Sequence, residues 1–156
     1  MAPVPRTDRA SRVIPAPLPV VYAALVDPEA LSAWVPPGDM TGSIERFDLR
    51  PGGSYRMVLT YPGDVPSRGK TTADTDVVEA RFLEIVPGKR VVYSVTFVSD
   101  DPDFDGAMTM TWEVSTTDGG TLVELTADDV PGGISARDHS DGMHSSLLKL
   151  SEYVVH

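Results

Sequence analysis

The C-terminal segment, residues 134–155, restricts the fold of this chain more than any other stretch. Its apolar residues recur at offsets of zero, four, seven and eleven, the spacing of one helical face: Met143, Leu147, Leu150 and Val154. Ser135 can cap the first turn, where Asp138 also suits the positive end of the helix dipole. Because a helix with one apolar stripe is marginal alone in water, the rest of the chain must cover that stripe.

The middle of the chain changes to a period of two, which is typical of half-buried antiparallel strands. In one such stretch Met108, Met110 and Trp112 alternate with polar residues, and Gly and Pro clusters separate the stretches. We predict seven strands, over residues 6–14, 43–49, 55–61, 77–86, 91–98, 108–114 and 121–127. Two short helices, 20–26 and 27–34, are expected after the first strand, and residues 62–76 are expected to form an exposed loop.

These elements predict an α+β fold, in which a curved antiparallel sheet of six to seven strands wraps around the long C-terminal helix. The whole chain, residues 1–156, is expected to form a single domain with an ordered core of about residues 6–155. The concave side of such a sheet is a natural place for a ligand pocket. Gly142 lies inside the helical pattern, which indicates a bend or the close approach of another group to the backbone.

The composition excludes several functional classes. A net charge of −10 argues against binding to nucleic acid and to anionic membranes, because both require Lys and Arg to neutralise phosphates. No run of 18 apolar residues is present, so we expect no membrane span. The chain has no Cys and its N-terminus lacks the apolar core of a secretory signal, which together favour a cytoplasmic location.

Four short motifs occur in a recognisable order. They are IPAP at 14–17 with the following helical segment 21–34, FDLRPGGSYR at 47–56, EIVPGKRVVY at 84–93, and GMHSSLLKL at 142–150. Together they resemble the START-like (SRPBCC, helix-grip, Bet v-like) superfamily, in the branch of the heat-shock-chaperone ATPase activator homologs. The chain departs from the branch pattern in the last motif, where the residue after Gly142 is Met143 rather than the usual Trp.

The resemblance implies a helix-grip fold and leaves the function open. The superfamily includes carriers of lipids and hormones, aromatic polyketide cyclases and co-chaperone domains. The activators that give the branch its name carry a further N-terminal domain, which supplies much of their chaperone contact. In the family fold Gly142 lies where the last helix crosses the cavity, so it keeps room for a ligand or for a packed side chain.

Aromatic and Met residues are the candidates for lining that cavity. Their alternation on the strands indicates that one set faces the concave side, and Met can adapt to apolar ligands of different shapes. The candidate ligand-binding residues are Trp34, Tyr55, Met57, Tyr93, Met108, Met110, Trp112 and Met143, with His144 or a Tyr as the polar group that orients the ligand. The same residues could instead fill the core, and the sequence does not separate these two interpretations.

Metal and catalytic motifs are incomplete. Residues 101–106 match the first half of an EF-hand calcium loop, but Trp112 occupies the position of the bidentate Glu. His139 and His144 are five residues apart and diverge around the helix, so they do not form a metal pair. The sequence contains no nucleophile elbow and no phosphate-binding loop. We therefore expect no metal, no cofactor and no catalytic residue.

The sequence thus favours non-catalytic binding of a small hydrophobic or aromatic molecule between the sheet and the C-terminal helix. One alternative is an enzyme of the cyclase or aromatase type, in which charged groups would converge inside the pocket. Another is a chaperone-associated interaction module resembling the ATPase activators, with a filled core and an apolar patch outside. A homodimer and a chaperone contact both stay open as partners.

Overall fold

The structure is a computed structural model that describes residues 6–36, 40–61, 75–99, 102 and 106–155. The order of its elements is the predicted one: a strand, two short helices, six strands and a long helix. The strands are β1 Thr7–Ile14, β2 Thr41–Phe47, β3 Ser54–Thr60, β4 Thr75–Val86, β5 Arg90–Phe97, β6 Met108–Thr117 and β7 Gly120–Asp128, and the helices are α1 Leu18–Val26, α2 Pro28–Trp34 and α3 Ala136–Val155. Most of the loop predicted at 62–76 and of the EF-hand-like stretch at 101–106 lies outside the described residues.

The seven strands form one antiparallel sheet in the order β1-β7-β6-β5-β4-β3-β2. Strands β2 to β7 follow one another as a meander, and β1 pairs with β7, so β1 and β2 are the two edges. The pairing register shifts between Ile44 and Arg46 and again between Phe82 and Glu84. Such irregularities bend a strand and increase its twist, which helps the sheet to curve. The structure thus confirms the predicted α+β helix-grip fold.

Cross-strand pairing shows which residues share the concave side. Directly opposed residues in an antiparallel pair point to the same face. One row of opposed residues crosses five strands from β4 to β1: Phe82, Tyr93, Met110, Ala127 and Asp8. Phe82, Tyr93 and Ala127 are buried, so this row lies on the side of the sheet that faces the core.

The helix α3 buries the predicted stripe. Met143, Leu147 and Leu150 are buried, and Val154 packs against the core while partly exposed. The N-cap prediction is also confirmed, because the backbone N–H of Asp138 donates to the Ser135 hydroxyl at 3.0 Å. Of the seven strands, β1 lies nearest to α3, so space above the central strands has to be filled by side chains or by a ligand.

Contacts between helices hold α3 against the end of α2. The Ser146 hydroxyl donates to the Val35 carbonyl at 2.7 Å, and the Lys149 ammonium donates to the Pro36 carbonyl at 2.5 Å. These carbonyls lie at the C-terminus of α2, where no further helical N–H can reach them. Within the described ranges, no helix is long and apolar enough to cross a membrane.

Candidate ligand-binding site

The predicted cavity residues are mostly buried. Seven of them have almost no solvent exposure: Trp34, Tyr55, Met57, Tyr93, Met108, Trp112 and Met143. Met110 is only partly buried, and His144 is exposed. Burial alone does not separate a ligand pocket from a filled core, so the contacts among these side chains decide what the region can do.

The rings on the concave side pack in edge-to-face geometry. The rings of Trp34 and Trp112 meet with centroids 5.1 Å apart and planes at 80°. The Tyr93 ring lies 5.7 Å from that of Tyr55 and 6.1 Å from that of Phe82, at 73° and 82°. Such arrangements are favourable because the positive edge of one ring meets the negative face of the next. The aromatic cluster thus fills this part of the concave side.

Two rings of this cluster are not among the residues predicted from the sequence. Phe82 is buried opposite Tyr93, and Phe47 is partly buried with its ring 5.8 Å from that of Phe82. The alternation of β4 could have indicated Phe82, since Val78 and Ala80 precede it on the same face. The position of Phe47 depends on how β2 pairs with β3, where it lies opposite Tyr55.

The cluster contains an internal hydrogen-bonding group. The Trp112 indole N–H donates to the Tyr93 hydroxyl oxygen at 2.8 Å, whereas the Trp34 indole N–H donates to the Ala24 carbonyl at 2.9 Å. Burial raises the pKa of Tyr55 well above its usual range, and the charge and hydrogen bonding of Tyr93 raise it further. Burial also raises the pKa of Tyr93, although hydrogen bonds from Tyr55 and Trp112 oppose that rise. Both phenols are therefore protonated and neutral at pH 7.

One proton of this group has no acceptor inside it. Tyr55, Tyr93 and Trp112 carry three hydrogen-bonding protons, two hydroxyl and one indole, but they are joined by only two contacts. Within the described ranges, neither hydroxyl donates a hydrogen bond to a residue outside the trio. A buried donor without an acceptor costs free energy. A ligand oxygen on the concave side would therefore be a favourable partner for it.

Met110 marks accessible space beside the trio. It lies on the central strand β6, between Tyr93 on β5 and buried Ala127 on β7. A side chain in this position faces the core, yet Met110 stays partly exposed. The concave side is thus not packed completely at this point.

His144 does not occupy the predicted orienting position. Its side chain is exposed, and Nδ1 lies 2.8 Å from the carbonyl oxygen of Ser140, one turn earlier in α3. Each residue of an α-helix turns by about 100°, so His144 leaves the face that Met143 presents to the core. The expectation that His144 projects into the cavity is corrected accordingly.

A different histidine faces the core. His139 Nδ1 lies 2.7 Å from Oδ2 of Asp8, with side chains 13% and 11% exposed respectively. The Arg6 guanidinium also contacts Asp8 Oδ2, at 3.1 Å. From the sequence, His139 was a candidate only for a metal site, which we did not expect to form. Its position four residues before Met143 nevertheless continues the buried stripe of α3. Its partner Asp8 comes from the other end of the chain.

A second inward carboxylate lies too far away to join this pair. Asp76 is buried opposite Leu59 and accepts a hydrogen bond from the Tyr61 hydroxyl at 2.9 Å. Asp76 lies six residues before Phe82 on β4, and Phe82 belongs to the same cross-strand row as Asp8. About 20 Å of strand therefore separates Asp76 from that row. Paired carboxylates for acid–base chemistry need to be closer. In the described ranges, no group of three His, Asp or Glu residues could hold a metal ion.

Comparison with known proteins identifies the family. Residues 15–155 match the family described as activator of Hsp90 ATPase homolog 1-like protein. The chain belongs to this family. The match covers nearly all described residues and confirms the resemblance to the START-like superfamily that the four motifs indicated. No curated protein sequence matches the chain significantly.

Solved structures with the same fold cover nearly all of this chain. The chain is similar to protein CV1439 from Chromobacterium violaceum, with 30% identity, a TM-score of 0.83, and coverage of 95% of this chain and 96% of that one. It is also similar to protein NE0264 from Nitrosomonas europaea, with 24% identity, a TM-score of 0.70, and coverage of 94% and 92%. DynU16, described with the dynemicin biosynthetic locus, shares 19% identity and a TM-score of 0.67, over 94% of this chain and 46% of that one. The last two likenesses support the fold alone.

Proposed function

We propose that this protein binds a small hydrophobic or aromatic molecule, without transforming it, between the concave side of the sheet and α3. The proposal rests on the partial exposure of Met110. In a completely packed core, an inward side chain on a central strand would be covered by other side chains. The adaptable side chains of Met residues suit such a site. The proposed contact residues are Tyr55, Met57, Tyr93, Met108, Met110 and Met143, with Trp34 and Trp112 packed behind them.

The energetics favour a neutral ligand of modest affinity. Burial of about 250 Å² of apolar ligand surface yields roughly 6 kcal/mol, which corresponds to a dissociation constant of tens of micromolar. The surplus hydroxyl proton of the Tyr55–Tyr93 pair can donate to a ligand oxygen and add to this value. A ligand anion gains little from the tyrosines, since both are neutral, and it must also be desolvated.

Binding is tested with the neutral fluorescent probe N-phenyl-1-naphthylamine and two variants of matched size. Met110→Trp adds bulk on the concave side, whereas Thr111→Trp adds the same side chain one residue later, on the other face of β6. We expect the wild type and Thr111→Trp to bind the probe similarly and Met110→Trp to lose at least tenfold in affinity.

Two outcomes would contradict the proposal. One is a wild-type protein that takes up no probe, and the other is equal binding by the two Trp variants. Circular dichroism and thermal melting show whether each variant is folded, so a loss of binding caused by unfolding is recognised. If the folded wild type binds neither this probe nor a copurified molecule in native mass spectrometry, a chaperone-related interaction becomes the better proposal for this family member.

A further inference from the structure

We propose that the Asp8–His139 pair is a second polar anchor on the concave side, and that it selects ligands with a hydroxyl group, such as phenols. The inference rests on the proposed function, since it names a chemical feature of the ligand at the same site. Its basis is the position of two residues from opposite ends of the chain in the same part of the core.

The backbone pairing aligns Asp8 with the ligand site. Asp8 lies opposite Ala127 on β7, Ala127 opposite Met110 on β6, and Met110 opposite Tyr93 on β5. The four residues therefore form one row on one face of the sheet. Three strand spacings of about 4.8 Å separate the backbones of Asp8 and Tyr93, about 14 Å along the sheet.

The geometry of the pair leaves one imidazole nitrogen available. A carboxylate can only accept hydrogen bonds, so the proton between His139 Nδ1 and Asp8 Oδ2 belongs to the histidine. In the neutral ring Nε2 is then an acceptor, and the carboxylate fixes its direction. Within the described ranges, Nε2 has no hydrogen-bond partner. His139 lies four residues before Met143, so its ring belongs to the face of α3 that covers the concave side.

The two ends of the site therefore have complementary hydrogen-bonding roles. The tyrosine end offers a surplus hydroxyl proton and takes a ligand oxygen as acceptor. The histidine end offers the second imidazole nitrogen, which can accept a hydrogen bond from a ligand O–H. A phenol oriented with its hydroxyl toward His139 satisfies that nitrogen and places its ring beside Met110. An ether of the same shape fills the same space but cannot donate to Nε2.

The charge beside the pair supports this role. Arg6 contacts the same Asp8 oxygen as His139 does, so a guanidinium also balances the charge of this carboxylate. The Arg6 Nε is itself buried without a hydrogen-bond partner in the described part of the chain. The same contact also attaches α3 to β1, since His139 and Asp8 belong to these two elements. A direct test must therefore separate ligand contact from helix attachment.

Two naphthalene probes that differ by one methyl group separate ligand contact from helix attachment. 2-Naphthol can donate a hydrogen bond to Nε2 and 2-methoxynaphthalene cannot, and both are titrated at the same pH. In the wild type we expect 2-naphthol to bind roughly fivefold to tenfold more tightly than the ether. In His139→Phe we expect the ratio of the two affinities to fall to about one, with the affinity for the ether retained. Asp8→Asn should lower the ratio as well, because the amide no longer fixes the histidine proton on Nδ1.

Tyr93→Phe is the matched control at the other end of the site. It leaves the His139 end of the site unchanged, so the ratio of the two affinities should not fall toward one in this variant. An equal ratio in the wild type and in His139→Phe would refute the role of the pair, and so would a wild type that binds both probes equally. A loss of both probes in parallel in His139→Phe would show that His139 only supports the helix. If the wild type binds neither probe, the proposed function itself fails.

Discussion

Replacement of Leu147 by Ala tests whether α3 is held by the concave side of the sheet. Leu147 is 1% exposed, whereas the next residue, Leu148, is 43% exposed. Replacement by Ala changes helix propensity equally at the two positions, but only at Leu147 does it remove a buried side chain. Removal of a fully buried Leu side chain from a packed core costs about 3–4 kcal/mol, which combines lost transfer free energy with the cavity left behind. Leu148→Ala should cost about 0.5 kcal/mol or less.

The assay is urea unfolding followed by Trp fluorescence. Trp34 and Trp112 are the only two Trp residues, and both are buried in mutual contact, so their emission reports the packing of the core directly. We expect Leu147→Ala to shift the midpoint with little change in slope and to lower the melting temperature by roughly 6–16 °C. Similar losses for Leu147→Ala and Leu148→Ala would show that the stripe does not face the core, and the account of the fold would be wrong.

Three further predictions concern individual contacts. The pKa values of Tyr55 and Tyr93 are raised in the folded protein, so protonation of these two phenols stabilises the fold. This contribution is complete below about pH 10 and is lost as the pH rises through the higher folded-state pKa values. Tyrosinate absorbance from these two residues should therefore appear together with unfolding. Ionisation of all tyrosines near pH 10 in a folded protein would contradict this. Thr121→Val should cost about 1–3 kcal/mol in urea unfolding, because the buried Thr121 hydroxyl donates to the Ala16 carbonyl at 2.7 Å; an unchanged midpoint would refute it. Asp27→Ala should cost about 1 kcal/mol, since its carboxylate accepts from the Glu29 N–H at the start of α2, and a stabilised variant would exclude that cap.

Local periodicity was sufficient to predict the fold. The stripe from Met143 to Val154 identified α3, and the alternation on each strand identified the sheet, because both patterns depend only on which residues are apolar and how far apart they lie. The Asp27-Pro28 start of α2 was equally readable, since it depends on the chemistry of neighbouring residues.

The polar part of the site could be predicted only in part. The continuation of the α3 stripe to His139 was available from the sequence, whereas His144, which we expected in the cavity, lies next to Met143 in the chain but on another helical face. The partner of His139 could not be identified from the sequence. Asp8 reaches it through the pairing of β1 with β7, which joins residues more than one hundred positions apart. The partial exposure of Met110 depends on how closely α3 approaches the central strands, and this distance cannot be predicted from a local sequence pattern.

The most direct test of ligand binding on the concave side is an NMR titration of methionine methyl groups with N-phenyl-1-naphthylamine. The chain has six Met residues, and four of them belong to the proposed site: Met57, Met108, Met110 and Met143. Met40, which precedes β2, is not among the proposed contacts and serves as an internal control. We expect saturable shifts and intermolecular contacts for Met110 and its neighbours at the site, with Met40 unaffected. Resonances that do not move on addition of the probe, or shifts confined to Met40, would contradict the account.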